Sequence, residues 1–340
     1  MLPFVHVGII ARRDAVQAHT RTNCVKGALL LLIAVALLAP ASQARVTGGT
    51  PVALVTAETL NQLIALDLPS GRVLKRLQMP ADPENVEAYG SNAVVVSARA
   101  GAVTLLAPSS LRVRKVIRGF GAPHLAAFAA DLKHLYVTDD ARGQLVVIDL
   151  KRARVIRRIF VGHGAHHLSV SNDGNRAWLA LGEQAHKLVV LDTTAPAQPR
   201  IVGRIDLPWG AHDLAFTPNS RRVWVTSDDR PEVAVFDAAT MRQLFTLRAG
   251  RPPQHVAFGR FAFVTSGYGN ELRVFTLNGS LRSTVKIAHG SFNVAVSGDL
   301  VLTSSLLDGS VTELDETAGR ILLHERVAPA ARDAAIYTLP

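Results

Sequence analysis

Histidines cluster in one short stretch of the chain. The segment GHGAHHLSVSNDG spans residues 162–174 and places His163, His166 and His167 within five positions. Imidazole is a common ligand of Zn²⁺ and Cu²⁺ and the most frequent general base in enzymes. The segment therefore indicates a metal site or a catalytic base, unless it is one copy of a repeated structural unit.

Copies of this segment's surroundings recur along the whole chain. Seven short apolar stretches, each ending in a small or hydroxyl-bearing residue, end at positions 56, 97, 138, 180, 226, 265 and 303. Each is followed ten to twelve residues later by a second apolar stretch, and five of these end in Asp, which we expect to cap the next turn. Four short strands in each repeat of about 40 residues are typical of a β-propeller blade.

The two ends of the repeat array complement each other. The first repeat begins directly with residues 51–56 and lacks a leading strand, whereas residues 331–336 form a leading strand with nothing after it. A C-terminal strand that completes the first blade would close the ring and remove its exposed sheet edges. The sequence therefore predicts an all-β fold, a seven-bladed propeller in a single domain over residues 45–340.

The leading strand of each blade is innermost in a propeller, so its first residues lie near the channel mouth. Alternation along a strand predicts two rings of side chains on opposite sides. The first ring is Asn85, His124, His166, His212, Gln254, Phe292 and Arg332, and the second is Val86, Leu125, His167, Asp213, His255, Asn293 and Asp333. On this alignment His166 and His167 belong to separate rings and do not bind one ion together.

Three imidazoles on consecutive blades match the ligand set of a Zn²⁺ or Cu²⁺ site with an open fourth position. The metal-ligand candidates are His124, His166 and His212. The wider set of candidate ligand-binding residues is His124, His166, His167, His212, Asp213, His255, Asn293, Asp333 and the loop residue Trp209. In the alternative interpretation the histidines hold their loops by bonding backbone carbonyls, and Trp209 is a hydrophobic plug rather than a stacking platform.

Catalysis has weaker support in the sequence. His166 or His167 can act as a general base oriented by Asp213 or Asp333. No Gly-x-Ser-x-Gly nucleophile motif occurs, nor does a carboxylate constellation typical of calcium-dependent propeller lactonases. We assign no catalytic residue and expect no cofactor, with a divalent metal as the one open alternative.

One repeat resembles a known family. Tyr136-Val137-Thr138-Asp139 differs by one letter from the motif that names the YVTN-type seven-bladed propellers, and Ser169–Gly174 resembles that family's turn between the first two strands. The resemblance covers roughly residues 50–340 and implies a secreted or periplasmic protein with a loosely defined binding role. Propellers of similar architecture include lactonase-type enzymes, streptogramin-cleaving lyases and the copper-cluster domain of nitrous oxide reductase, and fold alone does not choose among them.

The N-terminus reads as an export signal. Twelve apolar residues at 28–39 follow Lys26 and end before a small-residue run, which predicts a signal peptide over residues 1–44 with cleavage near Ala44. An uncleaved anchor is the alternative, and the long leading region also fits a true start at Val25. Cys24 is the only cysteine, so the exported chain would contain neither disulfides nor a reactive thiol.

The formal net charge of +10 is partly due to the N-terminus, where the first 44 residues hold four basic residues and one acidic residue. The remaining +7 is spread over short clusters such as residues 151–154, which predicts a solvated, mildly cationic surface without a nucleic-acid motif. We expect an exported monomer, secreted, periplasmic or held in the cell envelope, without a membrane span once the signal is removed. It would bind a small molecule, an envelope glycan or a partner protein at the channel mouth. The alternative is a metal-dependent lyase or lactonase.

Overall fold

The computed structural model describes residues 49–182, 185–250 and 252–339. The predicted signal peptide lies outside these ranges. None of the helices among the described residues is long and apolar enough to cross a membrane.

The described residues form 28 strands arranged in seven antiparallel sheets of four strands each, which are the predicted blades. Blade 1 consists of β1 (Thr50–Ala57), β2 (Gln62–Asp67), β3 (Arg72–Gln78) and β28 (Ala331–Leu339). Blade 2 consists of β4 (Pro83–Tyr89), β5 (Asn92–Ser97), β6 (Ala102–Ala107) and β7 (Arg112–Arg118). Blade 3 consists of β8 (Pro123–Phe128), β9 (His134–Asp139), β10 (Gln144–Asp149) and β11 (Arg154–Phe160). Blade 4 consists of β12 (Leu168–Val170), β13 (Arg176–Ala180), β14 (Lys187–Asp192) and β15 (Arg200–Asp206).

The other three blades repeat the pattern. Blade 5 consists of β16 (Ala211–Phe216), β17 (Arg222–Ser227), β18 (Glu232–Asp237) and β19 (Gln243–Arg248). Blade 6 consists of β20 (Val256–Phe258), β21 (Ala262–Ser266), β22 (Glu271–Phe275) and β23 (Leu281–Lys286). Blade 7 consists of β24 (Ser291–Ser297), β25 (Leu300–Ser305), β26 (Ser310–Asp315) and β27 (Ile321–Arg326).

The ring closes through blade 1, as predicted from the sequence. Strand β28 pairs antiparallel with β1, with Ala53 opposite Ile336 and Leu54 opposite Ala335. The first strands of neighbouring blades contact each other in the order β28, β4, β8, β12, β16, β20, β24 and back to β28. These seven strands therefore surround a central channel, and β3, β7, β11, β15, β19, β23 and β27 form the outer edges of the blades.

The hydrophobic core lies between adjacent blades because the two middle strands of each blade are apolar on both faces. Strands β5, β9 and β17, for example, are almost entirely buried. Trp178 and Trp224 are fully buried, and each packs against phenylalanines of the following blade, Phe216 and Phe236 for Trp178, Phe258 and Phe275 for Trp224. Both tryptophans are therefore packing residues, as the sequence pattern predicts.

The Asp residues that end the third strands cap the turns that follow. Backbone N–H groups two or three residues later donate to the carboxylates of Asp67, Asp149, Asp192, Asp237 and Asp315. This confirms the sequence expectation for all five positions. The bonds satisfy amides that the strand ladder leaves unpaired at the turn.

Hydroxyl groups at the end of the second strands join neighbouring blades. Thr226 accepts a hydrogen bond from the Asp213 N–H at 2.9 Å within blade 5 and donates to the Gln254 carbonyl of blade 6 at 2.7 Å. Thr138, Thr265 and Ser304 donate to the carbonyls of His166, Phe292 and Arg332 in the same way. The channel-lining backbone is thus fixed to the blade before it.

Candidate functional site

The central channel contains a cavity of about 690 Å³ lined by the first residues of the leading strands. Each blade contributes two consecutive residues at the N-terminal end of its leading strand, and we call these the first and second positions. The first positions are Glu84, His124, His166, His212, Gln254, Phe292 and Arg332. The second positions are Asn85, Leu125, His167, Asp213, His255, Asn293 and Asp333.

The sequence alignment of blade 2 is wrong by one residue. Pro83 pairs with Ser97, just as Pro123 pairs with Asp139 one residue beyond Thr138. Ser97 is therefore not the counterpart of Thr138, and the first position of blade 2 is Glu84 rather than Asn85. Asn85 takes the second position, which the sequence analysis gave to Val86.

The prediction that the two positions face opposite sides is also wrong. The pairing register shifts at this point in five leading strands, and the shift in β16 lies between Ala211 and Leu214. In blades 4 and 6 the leading strands begin two residues later than predicted, at Leu168 and Val256. An irregular backbone does not alternate its side chains, so all fourteen residues line the cavity.

Five histidines from four consecutive blades come together in this cavity. The rings of His124 and His166 are stacked with their centroids 3.6 Å apart, and the ring of His167 lies 4.9 Å from those of His166, His212 and His255. Two groups have candidate metal-ligating atoms within 4.8 Å of one another, namely His124 with His166 and His167, and His167 with His212 and His255. The expected set of His124, His166 and His212 is not one of these groups.

A different carboxylate faces the Nδ1 atom of each imidazole in the first group. Nδ1 of His124 lies 2.8 Å from Glu84, and Nδ1 of His166 lies 2.8 Å from Asp140. The third, Nδ1 of His167, lies 3.0 Å from Asp213 but does not form a hydrogen bond with it. The sequence interpretation in which backbone carbonyls hold these histidines does not describe these contacts. A carboxylate hydrogen-bonded to Nδ1, as for His124 and His166, places the proton there and leaves the Nε2 lone pair free for a ligand.

The free nitrogens of this group face each other. Nε2 of His124 lies 3.4 Å from Nε2 of His167. Two ligands of a tetrahedral zinc ion with ordinary Zn–N bonds are separated by about 3.3 Å. The spacing of this pair therefore already matches a shared metal ion.

The electrostatics of the cavity keep several of these imidazoles neutral. Burial, reinforced by neighbouring histidines, lowers the pKa of His124, His167 and His212 well below the usual value. The hydrogen bond from His166 lowers the pKa of Asp140, so this carboxylate is charged at neutral pH. A neutral imidazole beside a charged carboxylate is the ligand form that metal binding requires.

Other cavity carboxyl groups are shifted in the opposite direction. Burial raises the pKa of Glu84 and Asp213, partly offset by Arg332 near Glu84 and by His255 near Asp213. Burial and the adjacent Asp333 carboxylate raise the pKa of Glu87 to about 8, so Glu87 is protonated at neutral pH. Of the carboxyl groups that face the histidines, Asp140 is therefore the one whose charged form its surroundings favour.

Several predicted residues hold the channel backbone. Asp333 accepts hydrogen bonds from the Asn85 amide at 2.8 Å and from the Val86 N–H at 2.9 Å, and Asn85 accepts one from the Ala126 N–H at 2.9 Å. Asp213 accepts one from the Val256 N–H at 3.0 Å. Each bond links one blade to the next, so these groups have a structural role in addition to lining the cavity.

Of two other predicted site residues, Asn293 lines the cavity and Trp209 does not. The side-chain oxygen of Asn293 is buried in the cavity wall without a hydrogen-bond partner in the described part of the chain. Trp209 is only 5% exposed and packs with Trp178, Leu207 and Leu214 between blades 4 and 5. It does not line the cavity, so the prediction that Trp209 stacks on a ligand is wrong, because the loop turns its ring into the core.

Sequence reasoning missed Glu84 and assigned no site role to Asp140. A usable signal existed for Glu84, because Pro83 precedes it as Pro123 precedes His124 and Pro253 precedes Gln254. Asp140 follows β9 in the short helical turn Asp140–Arg142 and reaches His166 of the next blade. No local pattern reveals that contact.

No protein-family model and no curated protein matches the chain. Solved structures match its fold. A functionally unknown protein from Desulfotomaculum acetoxidans is 13% identical, with a TM-score of 0.74 over 84% of this chain and 98% of that one. A candidate 6-phosphogluconolactonase from Bacteroides fragilis is 12% identical, with a TM-score of 0.69 over 86% of this chain and 99% of that one. Apo AztD from Citrobacter koseri is 11% identical, with a TM-score of 0.68 over 86% and 98%. At these identities the likeness extends to the fold alone: the chain is a seven-bladed β-propeller with lactonase-like and functionally unknown structural neighbours.

Proposed function

We propose that this propeller binds one divalent transition-metal ion, Zn²⁺ or Cu²⁺, at the channel mouth through His124, His166 and His167. The observation that carries the proposal is the pair of carboxylate–imidazole hydrogen bonds at His124 and His166, 2.8 Å each, next to His167, whose Nδ1 lies 3.0 Å from Asp213. Such pairs orient metal-binding imidazoles and raise their basicity.

The chemistry of the donors fits this class of ion. Imidazole nitrogen is preferred by Zn²⁺ and Cu²⁺, whereas Ca²⁺ and Mg²⁺ prefer oxygen ligands. Nδ1 of His212 is buried and has no hydrogen-bond partner among the described residues, and the His212 ring lies 4.9 Å from that of His167, so it is a further nitrogen donor beside His167.

His167 is common to both histidine groups. Its Nε2 lies 3.4 Å from Nε2 of His124, so we assign Nε2 as the nitrogen that binds the ion. The two groups therefore cannot each hold an ion at once through His167, and we expect one ion per chain. His212 and His255 then line the cavity beside that site.

Calorimetric titration of the metal-free protein with Zn²⁺ tests the proposal, together with the visible absorption of Co²⁺ as a report on nitrogen coordination. His167→Ala should abolish stoichiometric binding, and His124→Ala should weaken it strongly. His134→Ala is the matched control, because His134 is also paired with a carboxylate, Asp131 at 2.7 Å, but does not line the cavity.

Unchanged binding in His167→Ala, or no binding by the unmodified protein, would overturn the proposal. Binding of two ions per chain would contradict the shared role of His167.

A metal-dependent lactonase or lyase is the second candidate function. It is favoured by the room beside the histidines, since the cavity of about 690 Å³ can hold a small organic substrate next to an ion with three protein ligands. A bound Zn²⁺ would supply an acidic water or polarise a carbonyl oxygen there. Turnover of lactones by the zinc-loaded protein, lost in His167→Ala, would select this candidate over a binding module.

A further inference from the structure

The outer strands of blades 1 to 3 carry an unusual concentration of positive charge. Strands β3, β7 and β11 hold ten basic residues and no acidic one: Arg72, Lys75, Arg76, Arg112, Arg114, Lys115, Arg118, Arg154, Arg157 and Arg158. Residues 45–340 have a net charge of +7, so everything in that range outside these three strands sums to −3. The positive charge is therefore concentrated on one side of the ring. The sequence alone indicated a scattered distribution.

Protection of sheet edges does not account for this asymmetry. Basic residues on an edge strand prevent edge-to-edge aggregation, and that need applies to all seven outer strands. The other four, β15, β19, β23 and β27, together hold six basic residues and two acidic ones. The three cationic strands are also consecutive around the ring, which makes one continuous surface.

These basic groups are largely available to a partner. In the part of the chain that the structure describes, Arg158 is the only one of the ten in an ion pair, at 3.8 Å from Asp139. Lys115 and Arg118 of β7 and Arg154 of β11 line one groove between blades 2 and 3. A surface with unneutralised cations at this density favours an anionic partner.

Apolar side chains stand among the cations on the same strands. Phe160 is 57% exposed, Leu74 is 46% exposed, and Ile156 and Val113 are also exposed. A polysaccharide or a nucleic-acid backbone offers little to such groups, whereas the interface of a lipid bilayer accepts both cations and apolar side chains.

We propose that this cationic face, formed by β3, β7 and β11, docks the propeller on an anionic phospholipid membrane. The basic residues would contact lipid phosphates, and Leu74, Ile156 and Phe160 would enter the headgroup region. The proposal is independent of the histidine site. A domain docked through its outer edges leaves the ends of the central channel uncovered.

Co-sedimentation with vesicles tests the proposal. The protein should bind vesicles of phosphatidylglycerol mixed with phosphatidylcholine and not vesicles of phosphatidylcholine alone, and added salt should release it. Each cation near an anionic bilayer strengthens binding about fivefold, so the triple variant Lys115→Glu/Arg118→Glu/Arg157→Glu should bind at least about 100-fold more weakly. Phe160→Ser should weaken binding without altering its salt dependence.

The matched control changes the net charge by the same amount on the opposite side of the ring. Arg248→Glu/Lys286→Glu/Arg326→Glu alters outer strands of blades 5, 6 and 7 and should retain vesicle binding. Thermal melts establish that both variants fold. Equal losses in the two triple variants would overturn the proposal by showing that only net charge matters. Failure to bind anionic vesicles would also overturn it, as would binding to heparin or an oligonucleotide in place of vesicles.

Discussion

At the scale of single residues, the properties of the channel site depend on the carboxylates as much as on the histidines. Asp140 is held in its charged form by His166, and it comes from the blade before the one that supplies that histidine. A change at Asp140 therefore alters the basicity and orientation of His166 without removing a nitrogen donor.

Asp140→Asn should weaken Zn²⁺ binding about 10- to 100-fold, because the amide lacks the negative charge that polarises the imidazole. Competition with a chromophoric chelator measures the change. Asp131→Asn is the control, since it alters a similar pair with His134 outside the cavity and should leave affinity within about twofold. Equal effects of the two substitutions would contradict the assigned role of Asp140.

Residue types and repeat spacing were enough to find most of the donors but not their grouping. All five channel histidines and Asp213 were recognised because each lies at the start of a leading strand in the repeat. The grouping of His166 with His167 could not be foreseen, because both precede the regular part of β12, which begins only at Leu168, and no residue pattern marks that late start. Glu84 was missed because Ser97 was aligned with Thr138 of the next blade, whereas in the structure Ser97 corresponds to the residue after Thr138.

At the scale of elements, the Asp residues at the ends of the third strands make the stability of the turns depend on pH. Hydrogen bonds from Thr240 lower the pKa of Asp237, and those from Thr317 lower the pKa of Asp315. A carboxyl group with a folded-state pKa below its unfolded value stabilises the fold above the unfolded pKa. That contribution disappears as the pH falls through the folded-state pKa.

The contribution of these two turn carboxylates to the free energy of unfolding should therefore be constant above about pH 5 and should fall below about pH 4. In Asp237→Asn/Asp315→Asn we expect a loss of no more than about 1 kcal/mol at neutral pH, because both carboxyl groups are partly exposed to solvent, and a shallower decline in acid. Urea titrations across this range measure both effects. Asp299→Asn, at an exposed turn, is the control and should reproduce the original profile; a profile unchanged in the double variant would exclude these turns as a source of acid sensitivity.

The elements themselves were predictable because the strands are short, apolar and regularly spaced. Buried middle strands such as Val223–Thr226 leave no amphipathic alternative, so their type follows from composition and turn signals. The starts of the leading strands in blades 4 and 6 were harder to predict. Regular strand pairing begins there only at Leu168 and Val256, and the residues before them line the channel in an irregular backbone conformation.

At the scale of the whole molecule, ring closure by β28 is the feature that the sequence indicated most directly. The missing leading strand of the first repeat and the extra one at the end have a single simple solution, and the pairing of β1 with β28 confirms it. Ala331 and Ala334 of β28 join a core cluster with residues of blades 1 and 7. Removal of β28 would therefore expose apolar surface on both sides of the gap.

Deletion of residues 331–340 should abolish cooperative folding, because the net stability of a typical domain is only about 5–15 kcal/mol. The truncated chain should aggregate through the open edge of β1. Size-exclusion chromatography and thermal melts measure this outcome, and a synthetic peptide of residues 331–339 added during refolding should restore part of the monomer. A monomeric truncated chain with an unchanged melting curve would show that closure is dispensable.

Closure through β28 also has a kinetic consequence for the order of assembly. Thr56 and Asp333, which exchange hydrogen bonds across this seam, are separated by 277 positions, whereas each of blades 2 to 7 is built from consecutive strands. Contacts between residues distant in sequence form slowly, because the entropy of loop closure must be overcome first. The five channel histidines all come from blades 3 to 6, so these donors can assemble before the ring closes. An ion bound there at that stage would be enclosed when β28 pairs with β1.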